Sequence, residues 1–405
     1  MIHICFGLHD SDGKYSKFVG TTIVSAFEKT FAPITIHILH DSTLTDDNRE
    51  KFNVLVSHYG QKIQFYNVEK LCKAQVTFLR ENLADKINLR FSIGTFYRLL
   101  IKEILGAQNI NKVIYLDADI IVNLDLNELW QKNLQNLPLA AVPEAVATHG
   151  NMIEDKFLLK SGLVRTENYF CAGVIVFNLE NIDENIFYDG IKFLVDNPQC
   201  KSLDQDILNA FFAANYLKLE QKFDSFVLSE RRNKFPVENK IYHYAGQCIE
   251  LNLSDEYNKL FLENFSRTTW FNFEIFGRIS DSFQKAIDAY TDLNQWLMKI
   301  SAQKQRAFFI VPKNIPAIKK LFLIKDDELI IEARDKNSVE ELIKNMTEQR
   351  GKTIFFIFIK EYEYFKPTLT DRGFKEFNDF VDGVLFLTSK QSKKNHPEYY
   401  FIRAL

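Results

Sequence analysis

Short apolar runs alternate with longer amphipathic stretches along the amino-terminal part of the chain. The apolar runs predict strands at Ile2–Leu8, Ile34–Leu39 and Lys62–Asn67. The stretches between them predict helices at Lys17–Phe27 and Asp46–Tyr59. Strands separated by helices of this length indicate a parallel sheet with crossover helices, so this part of the chain is predicted to be an α/β domain.

The same alternation continues through the middle of the chain. A helix is predicted at Thr95–Leu105, and further strands are predicted at Val113–Asp117, Leu139–Pro143 and Val174–Asn178. Ligands of open α/β sheets gather at the carboxyl ends of the strands and in the loops that follow them. Polar residues at these ends, such as Asp10 after the first strand, are therefore candidate site residues.

A second α/β unit is predicted after a boundary near Trp270–Asp281, which divides the chain into domains of residues 1–275 and 276–405. The second domain contains no nucleotide fingerprint and no catalytic cluster, so its sequence leaves its role open. Its predicted helices are Ser282–Ile300 and Ser338–Gln349, and its predicted strands are Phe308–Val311, Leu321–Ile324, Leu329–Glu332, Thr353–Ile359 and Gly383–Leu387.

Composition excludes several classes of protein. The net charge of -3 provides no basic field for nucleic acid, so no nucleic-acid partner is expected. Five scattered cysteines without a C-x-x-C spacing disfavour a zinc site or a disulfide framework and favour a reduced, cytoplasmic protein. The start of the chain lacks a basic signal-peptide region, and no apolar run is long enough for an ordinary membrane span.

The carboxyl-terminal tail, Lys390–Arg403, mixes basic and aromatic residues. Two alternatives stay open for it. We favour a solvated end, and the second alternative is a peripheral contact with the inner face of the membrane.

The stretch Val113–Asn123, V-I-Y-L-D-A-D-I-I-V-N, places two carboxylates inside an apolar run. Asp is depleted in strands and costly to bury unpaired. Side chains two positions apart in an extended segment point to the same side, so Asp117 and Asp119 are brought together and need a cation. Oxygen ligands of this kind suit Mg²⁺ or Mn²⁺.

A strand-ending turn is the alternative interpretation of this D-x-D sequence. The same spacing recurs at Asp10/Asp12 and at Asp204/Asp206, and Asp is common in turns. The apolar residues on both sides and the motifs elsewhere in the chain favour the metal site.

Several spaced motifs between residues 1 and 270 resemble glycosyltransferase family 8, the retaining sugar transferases that include bacterial lipopolysaccharide galactosyl- and glucosyltransferases and glycogenin. Together they are much more specific than any one alone. In the family's order they are I-H-I-C-F-G-L-H-D-S-D-G-K-Y (2–15), H-I-L-H-D-S-T-L-T-D-D-N-R (37–49), F-Y-R-L (96–99), Y-L-D-A-D (115–119), Y-F-C-A-G-V (169–174), L-D-Q-D-I-L-N (203–209) and H-Y-A-G (243–246).

The resemblance implies a GT-A-type nucleotide-sugar-binding fold, a Rossmann-like mixed sheet with flanking helices, followed by the smaller α/β domain. It implies that Asp117, Asp119 and His243 bind Mn²⁺ (or Mg²⁺) under the diphosphate of a UDP-sugar. The metal would neutralise charge that develops on the departing UDP. For His243 alone, a buried core histidine is the alternative.

The resemblance also implies roles for residues around the donor sugar. Arg98 would reach phosphate or sugar hydroxyls, Asp204 would accept hydrogen bonds from the sugar, and Gln205 would lie beneath the anomeric carbon. Two alternatives stay open: Arg98 could be a surface residue paired with Glu103, and the D-Q-D sequence could be the first turn of a helix.

The remaining positions implied by the resemblance line the substrates. Glu144 matches an acidic position near acceptor and donor sugar, and Gly173 would allow close backbone approach because it lacks a Cβ. The further substrate-binding positions are Gly7, Leu8, Asp10, Tyr15, Ala118, Cys171, Ala172 and Gly246.

Three positions depart from the family's pattern. Cys171 stands where the bacterial galactosyltransferases usually carry Asn, and His9 stands where an Asp or Asn that contacts uracil is common. The Lys that clamps the diphosphate after H-Y-A-G is missing, because the chain continues Q-C-I-E-L-N. The candidate replacements are Lys240, Arg231, Arg232 and Lys234.

The sequence therefore predicts a metal-assisted retaining glycosyltransferase that moves glucose or galactose from a UDP-sugar to a saccharide or glycoconjugate acceptor. A haloacid-dehalogenase-type phosphatase with Asp117 as nucleophile and Asp119 as acid/base is one alternative. A non-catalytic nucleotide-sugar-binding protein on the same fold is the other. Donor hexose, acceptor and oligomeric state are not determined by the sequence.

Overall fold

A computed structural model describes residues 1–13, 15–87, 92–150, 156–245, 254–272, 274, 277, 281, 292–293, 295–300, 302–359 and 362–386. The chain divides into two compact units, Met1–Asn272 and Phe273–Leu405. Within the described ranges, no helix is both long enough and apolar enough to cross a membrane.

A seven-stranded mixed sheet forms the centre of the first unit. The amino-terminal strands pair in parallel, whereas the strand at 170–178 runs antiparallel to both of its neighbours. The predicted mixed α/β sheet is thereby confirmed. In order across the sheet the strands are β3 (Lys62–Asn67), β2 (Ile34–His40), β1 (Ile2–Leu8), β4 (Lys112–Leu116), β7 (Phe170–Asn178), β6 (Leu139–Pro143) and β8 (Leu217–Lys218).

A small second sheet lies in the same unit and consists of β5 (Ile120–Val122), β10 (Ile241–His243) and β9 (Ser225–Phe226). The central strand β10 pairs antiparallel with β5, and this register sets His243 opposite Ile120. Residues far apart in the sequence are thus brought next to the D-x-D sequence by backbone pairing.

Helices surround the large sheet. The 3-10 helices of this unit are Ile93–Leu100, Thr166–Asn168, Leu179–Asn181 and Gln221–Phe223. The α-helices are α1 (Ser16–Lys29), α2 (Asp46–His58), α3 (Val68–Leu71), α4 (Lys73–Leu83), α5 (Ile101–Gly106), α6 (Asn127–Trp130), α7 (Glu144–Ala147), α8 (Phe157–Lys160), α9 (Ile186–Asp196), α10 (Leu203–Phe212), α11 (Val227–Asn233) and α12 (Glu256–Phe265).

The predicted elements of the first unit are confirmed, with one change of type. The predicted helix Thr95–Leu105 begins as the 3-10 helix Ile93–Leu100 and continues as α5. Near the end of the unit, the Trp270 ring lies where a Cβ on Gly20 of α1 would fall, 2.4 Å from that position. Its indole N–H donates to the side-chain oxygen of Asn48 in α2 at 2.8 Å. Trp270, near the end of this unit, therefore packs against both α1 and α2.

The second unit is built on a four-stranded parallel sheet, with apolar clusters on both faces. In order, the strands are β12 (Leu329–Glu332), β11 (Gln305–Ile310), β13 (Thr353–Phe358) and β14 (Phe380–Asp382). Its helices include α13 (Ile315–Phe322), α14 (Lys336–Glu348), α15 (Tyr362–Thr370) and the 3-10 helices Pro312–Asn314 and Gly383–Phe386.

Two predicted strands of the second unit are wrong. The segment Leu321–Ile324 contains the last residues of α13, which ends at Phe322 and is followed by Leu323 in the left-handed conformation. The segment from Gly383 is a 3-10 turn after β14. Both are short apolar runs, which periodicity alone cannot assign to helix or strand. Most of the predicted helix Ser282–Ile300 and all of the tail Lys390–Arg403 lie outside the described residues.

Candidate active site

The D-x-D sequence lies where the chain passes from the large sheet to the small one. Strand β4 ends at Leu116, and β5 begins at Ile120. The backbone N–H of Asp117 donates to the carbonyl of Gly173 at 2.9 Å, and Asp119 accepts through its carbonyl from the N–H of Tyr244 at 2.9 Å. Backbone hydrogen bonds therefore fix both carboxylates against two other strands.

Asp117, Asp119 and His243 come together as the sequence predicted. Their ligand atoms all lie within 4.8 Å of one another, and the Nε2 atom of His243 is 3.4 Å from Asp119 Oδ1. Two carboxylate oxygens and one imidazole nitrogen form a donor set that suits Mn²⁺ and related divalent ions. The geometry of the residues present thus fits a divalent cation.

A third carboxylate, Asp224, holds the other side of the His243 ring. Its Oδ1 is 3.2 Å from His243 Nδ1, and the residue is completely buried. Because a carboxylate accepts, Nδ1 carries the proton, and Nε2 faces Asp119. Pairs of this kind orient the histidine ligands of metal sites. Asp224 is absent from the predicted site residues, and its only signal in the sequence is one acid within the apolar run Phe223–Val227.

The electrostatic environment of His243 favours a positive charge. Burial lowers the pKa of its imidazole, but the anions of Asp224 and Asp119 outweigh burial and raise it well above the ordinary value. A bound divalent cation would take the place of that proton.

Gly173 makes room for this ring. A Cβ at Gly173 would lie 2.3 Å from His243 Cε1 and 2.7 Å from Nδ1. The room left by the missing Cβ of Gly173, which the resemblance assigns to the donor sugar, is therefore occupied by the His243 imidazole. Cys171, two residues earlier on the same strand, is buried with its Sγ 3.7 Å from His243 Nδ1.

Arg98 lies at the centre of the charged residues. Its Nη1 and Nη2 donate to the Ala172 carbonyl and to Asp117 Oδ1, each at 2.6 Å. Its Nε lies 2.9 Å from Asp204 Oδ2 in an ion pair that is not aligned as a hydrogen bond. Only 6% of the side chain is exposed, so the alternative of a surface Arg paired with Glu103 is wrong.

Burial and charge set the acidity of the three acids around Arg98. Burial, opposed by the nearby guanidinium, raises the pKa of Asp204 to about 7. Burial and the negative charge of Asp119 also raise the pKa of Asp117, against the effect of Arg98. The pKa of Asp119 is lowered, because His243 and Arg98 together outweigh its burial.

Gln205 is held by four polar contacts. Its amide oxygen accepts from the N–H of Ala172 at 3.1 Å, and its Nε2 donates to Glu144 Oε2 at 2.7 Å and to the Tyr169 hydroxyl at 3.3 Å. The Asn209 amide donates to the backbone carbonyl of Gln205 at 2.9 Å. The structure therefore brings Gln205 and Glu144 together, as both predictions require.

The D-Q-D sequence also begins α10, so the helix-start alternative is confirmed, and the roles of Asp204 and Gln205 toward the donor sugar stay predictions. Leu203 opens the helix with a left-handed φ of 37°, an uncommon conformation for a branched residue. Asp206 accepts from the Ser202 N–H at 2.8 Å and from the Tyr169 hydroxyl at 2.7 Å. Asp206 therefore stabilises the turn that begins α10.

The amino-terminal loop is organised by Asp10. The carboxylate of Asp10 accepts from the N–H of Tyr15 at 2.6 Å, from the hydroxyl of Ser16 at 2.5 Å and from the amide of Asn48 at 3.0 Å. Its oxygens are thus engaged in shaping the loop. His9 next to it pairs with buried Asp41 at 2.5 Å.

The other predicted substrate-binding residues flank these groups. Leu8 and Ala118 are buried, whereas Tyr15 is 42% exposed. A Cβ at Gly7 would lie 2.8 Å from the Gly94 carbonyl, so close packing requires glycine there. Gly246 lies outside the described residues.

Two of the four basic residues considered as replacements for the missing Lys are engaged elsewhere. Arg231 pairs with Asp255 at 2.9 Å, and Lys240 pairs with Glu230 at 3.3 Å. Arg232 and Lys234 are exposed.

The chain is similar in sequence to known glycosyltransferases. A protein of Haemophilus influenzae assigned to the glycosyltransferases is 29% identical over 262 residues, which are 60% of this chain and 74% of the relative. The lipopolysaccharide 1,3-galactosyltransferase of Salmonella typhimurium is 25% identical over 264 residues, 62% of this chain and 74% of that enzyme.

Among solved structures, the galactosyltransferase LgtC in complex with donor and acceptor sugar analogs superposes with a TM-score of 0.52. It is 22% identical, and the match covers 68% of this chain and 99% of LgtC. This similarity confirms the predicted GT-A-type fold. The sequence model of Glycosyl transferase family 8 matches residues 8–248, well over half of the chain. The chain therefore belongs to glycosyltransferase family 8.

Proposed function

We propose that this glycosyltransferase is a retaining enzyme that moves glucose or galactose from a UDP-sugar to a saccharide or glycoconjugate acceptor. The observation that carries the proposal is the clustering of Asp117, Asp119 and His243 within ligand distance, beside Arg98, Asp204 and Gln205. Family membership supports the transferase class, and the relatives that act on lipopolysaccharide support a saccharide acceptor.

Asp117, Asp119 and Nε2 of His243 would hold Mn²⁺ or Mg²⁺. When bound, such an ion neutralises negative charge on a diphosphate leaving group. Asp224 keeps His243 oriented for this role. With Arg231 and Lys240 engaged in internal ion pairs, Arg232 and Lys234 are the better candidates to supply a further cation.

In this proposal Arg98 positions the neighbouring acids, because its three nitrogens already contact Ala172, Asp117 and Asp204. It holds Asp117 facing the metal position and Asp204 facing the donor. A direct contact of Arg98 with phosphate would require one of these contacts to open.

Gln205 would stabilise the oxocarbenium-like centre through its amide oxygen, which lies beside the N–H of Ala172. An amide is a poor covalent nucleophile, so we infer front-face attack, in which the acceptor hydroxyl enters on the side from which UDP leaves. The departing UDP oxygen would take the proton of that hydroxyl. The new glycosidic bond then keeps the configuration of the donor.

Glu144 lies next to Gln205 and is proposed to face the acceptor. A cytoplasmic enzyme is inferred from the reduced cysteines, all four of the described ones being buried and free. Peripheral contact of the tail with the inner face of the membrane stays a prediction, because the tail lies outside the described residues.

The phosphatase alternative is excluded by family membership, and the D-x-D sequence follows the fourth strand of the chain rather than the first. A non-catalytic nucleotide-sugar-binding protein is the remaining alternative. It would bind UDP without releasing it from a UDP-sugar.

The experiment is incubation with UDP-glucose and with UDP-galactose, with and without Mn²⁺, followed by measurement of UDP release and of the anomeric configuration of the product. We expect Mn²⁺-dependent release from one donor. Absence of release together with calorimetric binding of UDP would favour the non-catalytic alternative, and absence of both would reject the proposal.

A further inference from the structure

A buried lysine stands behind the proposed catalytic amide. Lys156 precedes α8 and has only 10% of its side chain exposed. Its Nζ donates to Glu144 Oε2 at 2.6 Å, and the Glu144 side chain is 6% exposed. Both charged groups have therefore lost nearly all contact with water, and burying such an ion pair costs solvation free energy.

The same Glu144 oxygen accepts from Gln205. Nε2 of Gln205 donates to Oε2 at 2.7 Å, so this one oxygen joins the lysine to the amide. A carboxylate oxygen only accepts hydrogen bonds, so Oε2 accepts from both Lys156 and Gln205.

The Tyr169 hydroxyl completes the restraint. Its hydrogen is donated to Asp206 Oδ1 at 2.7 Å, so the oxygen faces its other neighbours only as an acceptor. Gln205 Nε2 donates to it at 3.3 Å, and Lys156 Nζ donates to it at 3.4 Å. Lys156 also lies over the Tyr169 ring, 4.4 Å from its centroid.

These contacts leave one orientation for the Gln205 amide. Two acceptors surround its NH₂ group, and a donor, the N–H of Ala172, meets its oxygen at 3.1 Å. If the amide flipped, its oxygen would lie against the oxygens of Glu144 and Tyr169. Its NH₂ group would then lie against the N–H of Ala172. Every one of those contacts would be repulsive.

We propose that Lys156 is a positioning residue that fixes the Gln205 amide through Glu144. The inference rests on the proposed function, in which the amide oxygen stabilises positive charge at the anomeric carbon. Without Lys156, the buried carboxylate of Glu144 would lose its ion-pair partner and would turn toward water. The NH₂ group of Gln205 would then lose this acceptor, and a flipped amide would present NH₂ in place of oxygen to the reacting carbon.

The test compares Lys156→Met, Lys156→Arg and Glu144→Gln with the double variant Lys156→Met/Glu144→Gln. Turnover is measured as Mn²⁺-dependent hydrolysis of UDP-glucose or UDP-galactose, whichever the wild type uses, so that acceptor binding does not enter. Lys160→Met, an exposed lysine on the neighbouring helix, is the matched control. Thermal unfolding of each variant reports folding.

We expect Lys156→Met to lower kcat about 10- to 100-fold, the scale of a misplaced catalytic group, and to change KM for the donor less than about threefold. Lys156→Arg should keep most of the turnover. The double variant should be more active than Lys156→Met, because Gln at position 144 accepts from Gln205 without needing a cation. Lys160→Met should match the wild type.

Turnover of Lys156→Met within about threefold of the wild type would overturn the inference, as would strictly additive losses in the double variant. If Lys156→Met does not fold, the inference is tested with Lys156→Arg and with the double variant, in which neither position is charged. Loss of turnover in both of these variants would overturn the inference. A wild type that hydrolyses neither donor would instead overturn the proposed function, and this inference with it.

Discussion

The strand ends of the two units of this protein carry different kinds of side chain. In the first unit, the two acids that follow β4 and the histidine that ends β10 bring two carboxylates and an imidazole together. In the second, the loops after β11, β12 and β13 enclose a cavity of about 610 Å³. Apolar side chains line most of it, and three of them are the aromatic residues Phe309, Phe358 and Phe365.

Charge distinguishes the two edges. Both groups of three potential metal ligands found among the described residues contain His243, and both lie in the first unit. The charged residues that line the cavity of the second unit are Lys313, Arg334 and Asp335, and Arg334 pairs with Glu332 at 2.6 Å. Fold topology places loops at the carboxyl ends of the strands in both units, whereas a few side chains decide which ligands those loops can bind.

The largest expected effect is the loss of the metal site in Asp119→Asn. We expect Mn²⁺-dependent UDP binding to weaken about 1,000-fold, or ~4 kcal/mol, because an amide lacks the charge that the cation needs. Calorimetry with and without Mn²⁺ measures it, and Asp335→Asn in the second unit is the matched control. Retained metal-dependent affinity in a cooperatively folded Asp119→Asn would reject the metal assignment.

Arg98→Met tests whether the first unit depends on its central cation. The variant leaves Asp117 and Asp204 without their buried partner, and loss of one member of a buried ion pair costs about 3–5 kcal/mol. Hydrogen exchange should quicken in β1 and β4 and stay unchanged in β11 and β13. Arg306→Met, which breaks the pair with Glu328, should show the reverse pattern. Equal effects in both units would contradict the separation.

Asp224→Asn tests the support of His243. We expect Mn²⁺ affinity to fall about 10- to 100-fold, the usual consequence of losing a carboxylate behind a histidine ligand. The thermal unfolding curve should stay cooperative. A titration with Mn²⁺ measures the change, and an affinity equal to that of the wild type would show that Asp224 has no influence on the metal site.

The stability of the first unit should depend on pH through Asp204. Its folded-state pKa is raised to about 7, so between about pH 4 and 7 the folded protein keeps a proton that the unfolded chain has lost. This group's contribution to stability therefore falls as pH rises through that window, by up to about 1.4 kcal/mol per pH unit. Unfolding of Asp204→Asn in urea at several pH values should lack this contribution, and an unchanged pH dependence would contradict it.

The smallest expected effect lies in the second unit. Asp335 caps α14 through a hydrogen bond from the Ser338 N–H at 3.1 Å, and Ser338 donates back to the backbone of the cap. Asp335→Ala should destabilise this unit by about 1 kcal/mol. UDP release should be unaffected. A change in turnover would show that the second unit contributes to catalysis.

Much of the first unit was predictable because its signals are local. Strands such as Lys62–Asn67 and Leu139–Pro143 are found at the predicted bounds, and Thr45 caps α2 by accepting from the Asn48 N–H. In the second unit, Leu321–Ile324 was mispredicted, because four apolar residues are too few to show a period.

The site was predictable in part. The trio was found because its motifs lie in a known order, although no local pattern links His243 to Asp119. Asp224 and Lys156 were missed because their importance comes from partners that are distant in the sequence. Strands of two or three residues, such as β9, likewise gain their structure from pairing.

The sequence by itself determined the α/β class, and it predicted Asp117, Asp119 and His243 as metal ligands. Periodicity, turn chemistry and ordered motifs are properties of neighbouring residues, so the sequence contains them directly. Only the tertiary structure placed Arg98 against Asp117 and Asp204, and placed Lys156 and Glu144 beside Gln205. These roles depend on burial and on distances of a few ångströms between side chains, and both arise only when remote segments pack together.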